Sequence, residues 1–83
     1  MDRFATLSAF VKVAEMRGFA PAARRLGLSP SAVTRLVAAL EAHLDVRLMQ
    51  RTTRSVTLTD EGERYLLQAR RILAELDEAD ASM

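Results

Sequence analysis

The sequence has 83 residues, 49% of them hydrophobic and 28% charged, which is typical of one small globular domain with too little core to enclose a substrate cleft easily. It has no cysteine, which excludes a disulfide framework and a thiolate zinc site. No apolar run approaches about 20 residues and no signal peptide opens the chain, so we expect no membrane association and a cytoplasmic location.

The net charge of +1 hides a division of charge between two parts of the chain. Residues 1–58 carry nine Lys and Arg side chains against four acidic ones, a net charge of +5. Residues 59–83 carry three Arg against seven acidic side chains, a net charge of −4. A polyanion would be attracted to the first part and repelled by the second. An uneven but inert surface would give the same pattern, so charge alone does not establish nucleic-acid binding.

The first two predicted helices cover residues 4–17 and 20–26. Gly18 is expected to end the first helix, and Pro21 is tolerated in the first turn of the second. The apolar residues of the first helix recur at helical spacing: Phe4, Leu7, Phe10, Val11, Val13 and Ala14. These positions are predicted to face the core.

A short turn joins the second helix to a third, predicted over residues 30–44. Gly27 can adopt the positive φ that ends the second helix. Ser29 is a good N-cap, and Pro30 suits the first helical position because its missing N–H would have no partner there. Two helices joined by so short a turn form a helix-turn-helix, which places its second helix in the DNA major groove. The sequence therefore predicts DNA binding.

The third predicted helix has one apolar stripe and an outer face on the opposite side. The stripe residues follow each other at intervals of four, three and four: Val33, Val37, Leu40 and Leu44. At about 100° per residue, Ser31 and Arg35 point away from this stripe and Thr34 lies on its flank. Farther along, the outer face carries only the small side chains of Ala38 and Ala42, so the helix can lie close to whatever it contacts.

Base contacts are predicted from Ser31, Thr34 and Arg35. Arg35 comes first, because a guanidinium group can donate two parallel hydrogen bonds to guanine O6 and N7. The alternatives are an Arg35 paired with Glu41 or Asp45, and ordinary helix-surface polarity at the two hydroxyl residues.

Backbone phosphates are predicted to lie at the start of the third helix, beside Ser29, Pro30 and Ala32, because a helix N-terminus presents unpaired N–H groups. Ser29 itself is expected to act mainly as the cap. Arg24 and Arg25 end the helix that crosses the DNA backbone, and one of them is expected to face a phosphate.

Alternating apolar and polar residues over 46–51 and 55–58 predict a two-stranded hairpin with its tip at residues 52–54. A basic hairpin beside a helix-turn-helix is a wing. Its predicted contacts with the DNA backbone or minor groove are Arg51, Thr52, Thr53 and Arg54. Arg54 is expected in the minor groove, where a narrow A·T-rich stretch attracts arginine, and Arg51 at a phosphate. The alternative is a solvated hairpin.

The last predicted helix covers about residues 60–80, with Thr59 as its N-cap. Its apolar residues follow a heptad pattern: Tyr65, Ala69, Ile72, Leu76 and Ala79, widened by Leu66 and Leu73. The length of the helix and its acidic outer face favour pairing with a second copy, and folding back over the core is the alternative. The predicted dimer contacts are Tyr65, Ala69, Ile72, Leu73 and Leu76.

Catalytic and metal-binding patterns are missing from the sequence. There is no His/Asp/Glu cluster with metal-ligand spacing, no glycine-rich phosphate loop and no nucleophile with a plausible base. His43 is expected on the surface near a helix C-terminus, where its charged form is favourable. We therefore expect no enzyme activity, no metal and no cofactor.

The ordered series of these motifs resembles the N-terminal DNA-binding region of LysR-type transcriptional regulators over nearly the whole chain. The matching segments are Leu7 to Val13, Gly18-Phe19, residues 22–26, residues 29–35, Leu40-Glu41, Leu44, Arg47-Leu48, residues 51–54 and residues 58–62. Two positions depart from the family pattern, because Pro30 and Leu36 stand where the family often has glutamine. Both changes remove possible hydrogen bonds to bases.

The resemblance implies a mainly α-helical winged helix-turn-helix in residues 1–58, with three helices and a two-stranded wing, and a long linker helix in residues 59–83. It implies that the linker helix forms an antiparallel homodimer, which binds double-stranded DNA at an interrupted inverted repeat. It also implies a C-terminal effector-binding domain, absent from these 83 residues, that alone would bind a small-molecule effector.

Two other functions stay open at this point. The chain could belong to a winged-helix regulator with another sensor, such as a molybdate-responsive one. It could also be a winged helix that serves protein–protein contact, although the outward Arg35 and the basic wing tip argue against this.

Overall fold

A computed structural model describes residues 1–52 and 55–83 of the chain. The described residues form a winged helix-turn-helix followed by a long helix, as the sequence predicts. In chain order the elements are α1 (Arg3–Met16), α2 (Phe19–Leu26), α3 (Pro30–Leu44), β1 (Met49–Arg51), β2 (Val56–Leu58) and α4 (Asp60–Ala81). The antiparallel strands pair Met49 with Leu58 and Arg51 with Val56, and both are shorter than the predicted segments. None of the described helices is both long enough and apolar enough to cross a membrane.

Local side-chain chemistry sets three of the helix boundaries as predicted. Ser29 Oγ accepts a hydrogen bond from the Ala32 N–H at 3.1 Å, and Thr59 Oγ1 accepts one from the Gly62 N–H at 3.0 Å. Gly27 follows α2 with a φ of 71°, the left-handed conformation that a residue without Cβ adopts without strain. These signals lie within a few residues of the boundaries they determine.

The end of α1 corrects one expectation. The helix ends at Met16, and Arg17 adopts the left-handed conformation with a φ of 57°. Gly18 has an extended φ of −177° and is the N-cap of α2. A Cβ added to Gly18 would lie 3.1 Å from Pro21 Cγ, so the small residue fits a restricted space instead of a left-handed backbone.

The core lies between the three helices of the helix-turn-helix and is covered by the two-stranded hairpin and by α4 as far as Leu73. Val33, Val37 and Leu40 are buried as predicted, and Leu44 is half-buried. Phe10 is completely buried, with its ring centroid 5.7 Å from that of Tyr65 on α4.

Phe4 corrects a second expectation, because 56% of its surface is exposed. The predicted apolar face of α1 therefore does not extend to the first turn of the helix. Phe4 instead lines a groove of about 220 Å³ beside Leu73 and Leu76 of α4. Helical spacing alone cannot distinguish a side chain facing the core from one at its edge.

The beginning of β1 is fixed to both neighbouring helices. Glu41 Oε2, on α3, accepts hydrogen bonds from the backbone N–H groups of Leu48 at 2.7 Å and Met49 at 3.3 Å. On the other side, the Leu48 carbonyl accepts from the Thr59 N–H at 3.0 Å. Gly62 lies against the same peptide, and a Cβ added there would overlap the Leu48 carbonyl group. The wing is thus joined to α3 and to α4 through one strand end.

Within the described residues, α4 packs on the core as far as Leu73. Ala69 is 1% exposed and Leu73 is half-buried against the core, whereas residues 74–83 are all exposed. Arg70 Nε also donates to Glu15 Oε2 of α1 at 3.3 Å. The part of α4 up to Leu73 fits the alternative of packing on the core. The part beyond it fits the predicted projection.

Candidate nucleic-acid interface

The outer face of α3 has the orientation that its spacing predicts. Ser31, Arg35, Ala38 and Ala42 are exposed, and Thr34 is half-buried at the flank. The opposite side of the helix is anchored by the buried stripe, so these positions are fixed relative to the core. Two polar side chains in the first two turns, followed by two alanines, leave a surface that can approach another molecule closely.

Leu36 is half-buried and packs against the hydrophobic core. It does not belong to the outer face, so its main role is packing. The polar side chains in the first two turns of α3 are Ser31, Thr34 and Arg35.

Arg35 has no ion-pair partner among residues 1–52 and 55–83. The ion pairs there join Lys12 to Glu15 at 3.4 Å and Arg70 to Glu15 at 3.3 Å. Glu41, a possible partner of Arg35 in the sequence, directs its carboxylate to the β1 backbone instead. The exposed guanidinium of Arg35 thus keeps its hydrogen-bond donors for another molecule.

The N-terminus of α3 offers few free N–H donors, as the cap and the proline predict. The Ala32 N–H donates to the cap oxygen of Ser29, and Pro30 has no N–H. The Ser29 and Ser31 hydroxyl oxygens lie 3.3 Å apart, within hydrogen-bond distance. A phosphate at this end would therefore depend mainly on Ser31.

Arg51 at the end of β1 lies on an aromatic ring. Its guanidinium carbon Cζ is 4.1 Å from the ring centroid of Phe19, the first residue of α2. The sequence analysis does not predict this contact, because no pattern near either residue indicates that the two side chains lie together. Arg24 and Arg25, also on α2, are exposed in its last turn.

Of the three predicted wing-tip residues, the structure describes Thr52. The Thr52 hydroxyl accepts from the Ser55 N–H at 3.0 Å and lies 3.2 Å from the Ser55 carbonyl oxygen, to which it can donate, so it is engaged in the turn. Thr53 and Arg54, predicted to contact the DNA backbone and the minor groove, lie outside the described residues.

The predicted dimer residues of α4 are divided between two environments. Tyr65, Ala69 and Leu73 pack against the chain's own core. Ile72 and Leu76 are 54% and 42% exposed. The heptad pattern therefore combines residues that pack on the chain's own core with the exposed apolar side chains of Ile72 and Leu76.

Comparison with known proteins identifies the family of this fold. The sequence model of one protein family, the bacterial regulatory helix-turn-helix proteins of the lysR family, matches residues 4–63. The regulator CrgA of Neisseria meningitidis is 46% identical over 77 residues, which are 93% of this chain and 26% of that protein. The chain spans about a quarter of the length of the curated relatives it matches.

Two solved structures have nearly the same backbone. The DNA-binding domain of CbnR in complex with DNA is 40% identical, with a TM-score of 0.90 over 99% of this chain and 93% of that one. The corresponding domain of BenM with catB site 1 DNA is 30% identical, with a TM-score of 0.89 over 93% of this chain and 86% of that one. These matches decide against a winged helix from another regulator family. The chain belongs to the LysR family of bacterial helix-turn-helix regulatory proteins.

Proposed function

We propose that this chain is the DNA-binding domain of a bacterial transcription regulator and binds double-stranded DNA sequence-specifically, with α3 in the major groove. The observation that carries the proposal is the outer face of α3, where Ser31 and Arg35 are exposed on a helix fixed from behind by Val33 and Val37. A recognition helix contacts base edges with its N-terminal residues, which is where these side chains lie. The DNA complexes of CbnR and BenM support the assignment.

Base reading is assigned to Arg35, Ser31 and Thr34. The guanidinium of Arg35, which has no ion-pair partner within residues 1–52 and 55–83, can donate two parallel hydrogen bonds to guanine. Such a pair contributes about 1–3 kcal/mol of discrimination. The hydroxyl groups can bond a base or a phosphate, and the Thr34 methyl can contact a thymine methyl. Ala38 and Ala42 permit close approach along the same groove.

Phosphate binding is assigned to Arg51, to Ser31 at the start of α3, and to one of Arg24 and Arg25. The excess of basic side chains in residues 1–58 would favour such binding. Entry of Arg54 into the minor groove and a backbone contact by Thr53 stay predictions. Each neutralised phosphate contributes about −0.9 to the slope of log K against log salt, so binding should depend steeply on salt.

A second copy of the chain is proposed to pair through the second half of α4. The exposed side chains of Ile72 and Leu76 there lie beside the exposed Phe4 of α1, with which each of them lines a groove. Such residues are usually covered in an assembly. A dimer would present two copies of α3, so the DNA site would be an interrupted inverted repeat.

The curated relatives are about four times as long as this chain, which supports the proposal that the domain is part of a larger regulator. We place an effector-binding domain in a continuation of the chain, and the whole regulator in the bacterial cytoplasm. The relatives are named as transcriptional regulators, which supports a function without catalysis.

Selection of bound duplexes from a random DNA pool tests this function, using the unchanged chain, Arg35→Ala and, as a control, Arg71→Ala on the exposed surface of α4. We expect an inverted repeat to be enriched by the unchanged chain and by Arg71→Ala. Arg35→Ala should lose preference at one position in each half-site. Enrichment of no sequence by the unchanged chain would contradict sequence-specific binding and favour a phosphate-only or protein-binding role.

A further inference from the structure

We infer that Phe19 is a positioning residue for DNA binding: its ring holds the Arg51 guanidinium, and Arg51 binds a phosphate from that position. The inference rests on the proposed function and adds a residue that no sequence motif assigned to it. The contact on which it depends is the 4.1 Å distance between Arg51 Cζ and the centre of the Phe19 ring.

Both members of this pair are attached to fixed parts of the fold. Phe19 is half-buried and packs against the hydrophobic core at the start of α2. Arg51 ends β1 opposite Val56, which also packs against the core. The ring therefore provides a fixed surface, and the guanidinium is the exposed, adaptable member of the pair.

The geometry leaves the hydrogen-bonding capacity of Arg51 available. A guanidinium group is planar and carries five N–H donors around its edge, whereas it contacts an aromatic ring through its face. No carboxylate forms an ion pair with Arg51 within residues 1–52 and 55–83. The edge can thus donate to a phosphate while the face stays on the ring.

Holding the side chain before DNA arrives should strengthen binding. An unrestrained arginine loses rotamer freedom when it fixes on a phosphate, and a preorganised one loses less. The contact also joins the wing to the helix-turn-helix, because Phe19 belongs to α2, which packs on α3. Together with the bonds of Glu41 and Thr59 to the start of β1, this pair would help to set the spacing between the phosphate contact of the wing and the base contacts of α3. Phosphate contacts fix the register of a protein on DNA.

A double-mutant cycle tests the inference, with Phe19→Leu, Arg51→Ala and the double variant made in the 83-residue chain. Affinity is measured for the duplex enriched by the selection described above, at several salt concentrations, and thermal unfolding is followed in parallel. We expect Phe19→Leu to weaken binding about two- to fivefold in the unchanged background. Arg51→Ala should reduce the salt slope by about 0.9, and Phe19→Leu should leave the slope unchanged.

The decisive comparison is the effect of Phe19→Leu once Arg51 is absent. We expect no further loss of affinity in the Arg51→Ala background, although any loss of thermal stability should persist. Phe19→Tyr keeps the ring and should keep the affinity. An equal loss in both backgrounds, or no loss in either, would overturn the inference while the unchanged chain still bound the duplex. Failure of the unchanged chain to bind the duplex would instead overturn the proposed function.

Discussion

Glu41 and Leu48 connect α3 to the wing: the carboxylate oxygen Oε2 accepts a hydrogen bond from the Leu48 backbone N–H at 2.7 Å. Met49 donates to the same oxygen at 3.3 Å. One acidic side chain thus accepts hydrogen bonds from two backbone N–H groups at the start of the hairpin, and one of them belongs to Leu48, which is 1% exposed. Because buried or partly buried N–H groups are costly to leave unpaired, this contact should contribute measurably to stability.

Replacement of Glu41 tests that contribution. Glu41→Ala should lower the free energy of unfolding by about 1–3 kcal/mol, since it leaves two N–H groups without their acceptor. Glu41→Gln should cost less, because its amide oxygen can still accept. Urea unfolding followed by circular dichroism measures both. Glu75→Ala on the exposed end of α4 is the control and should change stability by less than about 0.5 kcal/mol. Equal effects of Glu41→Ala and Glu75→Ala would show that the contact contributes nothing.

Gly62 allows α4 to approach β1. Gly62→Ala should destabilise the fold by about 1–3 kcal/mol or more, although alanine normally favours a helix, because the new Cβ overlaps the Leu48 carbonyl. Thermal unfolding gives the size of the effect. Gln68→Ala, at an exposed site on the same helix, should be nearly neutral. A stabilised Gly62→Ala variant would contradict the close approach.

Ser29 separates helix capping from DNA binding. Ser29→Ala removes the acceptor for the Ala32 N–H and should cost about 1 kcal/mol of stability. Ser29→Asp keeps an acceptor and should keep the stability, but its negative charge beside the proposed phosphate should weaken DNA binding. Unfolding curves and DNA titrations on the same samples distinguish the two effects. If Ser29→Asp bound DNA as well as the unchanged chain, the phosphate would have to lie elsewhere.

Arg24 and Arg25 should differ in their contribution to DNA binding. Adjacent residues of a helix point about 100° apart, so one side chain is expected to face the phosphates and the other solvent. Replacing the arginine that faces the phosphates by alanine should reduce the slope of log K against log salt by about 0.9. Replacing the arginine that faces solvent should leave the slope unchanged. Salt-dependent titrations of the two variants identify the contact. Two unchanged slopes would remove α2 from the phosphate interface.

The apolar end of α4 should determine the oligomeric state. The double substitution Ile72→Glu and Leu76→Glu should shift the chain toward monomer in sedimentation equilibrium, because charges would replace the exposed apolar surface. Leu67→Glu is the matched control, since Leu67 is 64% exposed on a different side of the same helix. Dissociation caused by the control alone would place the dimer contact on that other side.

The sequence predicts the helix-turn-helix well because its signals are local. Gly27, Ser29 and Thr59 each act on backbone groups within three or four residues, so their effect follows from the order of the side chains. The orientation of α3 is predictable for the same reason, since helical geometry alone places Ser31 and Arg35 opposite the buried stripe.

Contacts between distant segments could not be predicted in this way. The hydrogen bond from the Leu48 N–H to the Glu41 carboxylate and the stacking of Arg51 on Phe19 depend on how the hairpin lies against the helices. The same limit explains Ala69: a heptad pattern shows which side of α4 is apolar, but not how much of that side the chain's own core already covers.

The absence of a side chain at Gly62 has a mechanical consequence. With two backbones in direct contact and Thr59 bonded to both Arg47 and Leu48, the base of α4 has little room to tilt by itself. A torque applied at the far end of α4, some 33 Å away for a helix of this length, would be transmitted to the wing. A force on that end of α4 would therefore also displace the hairpin, because the base of the helix and the start of β1 are held together.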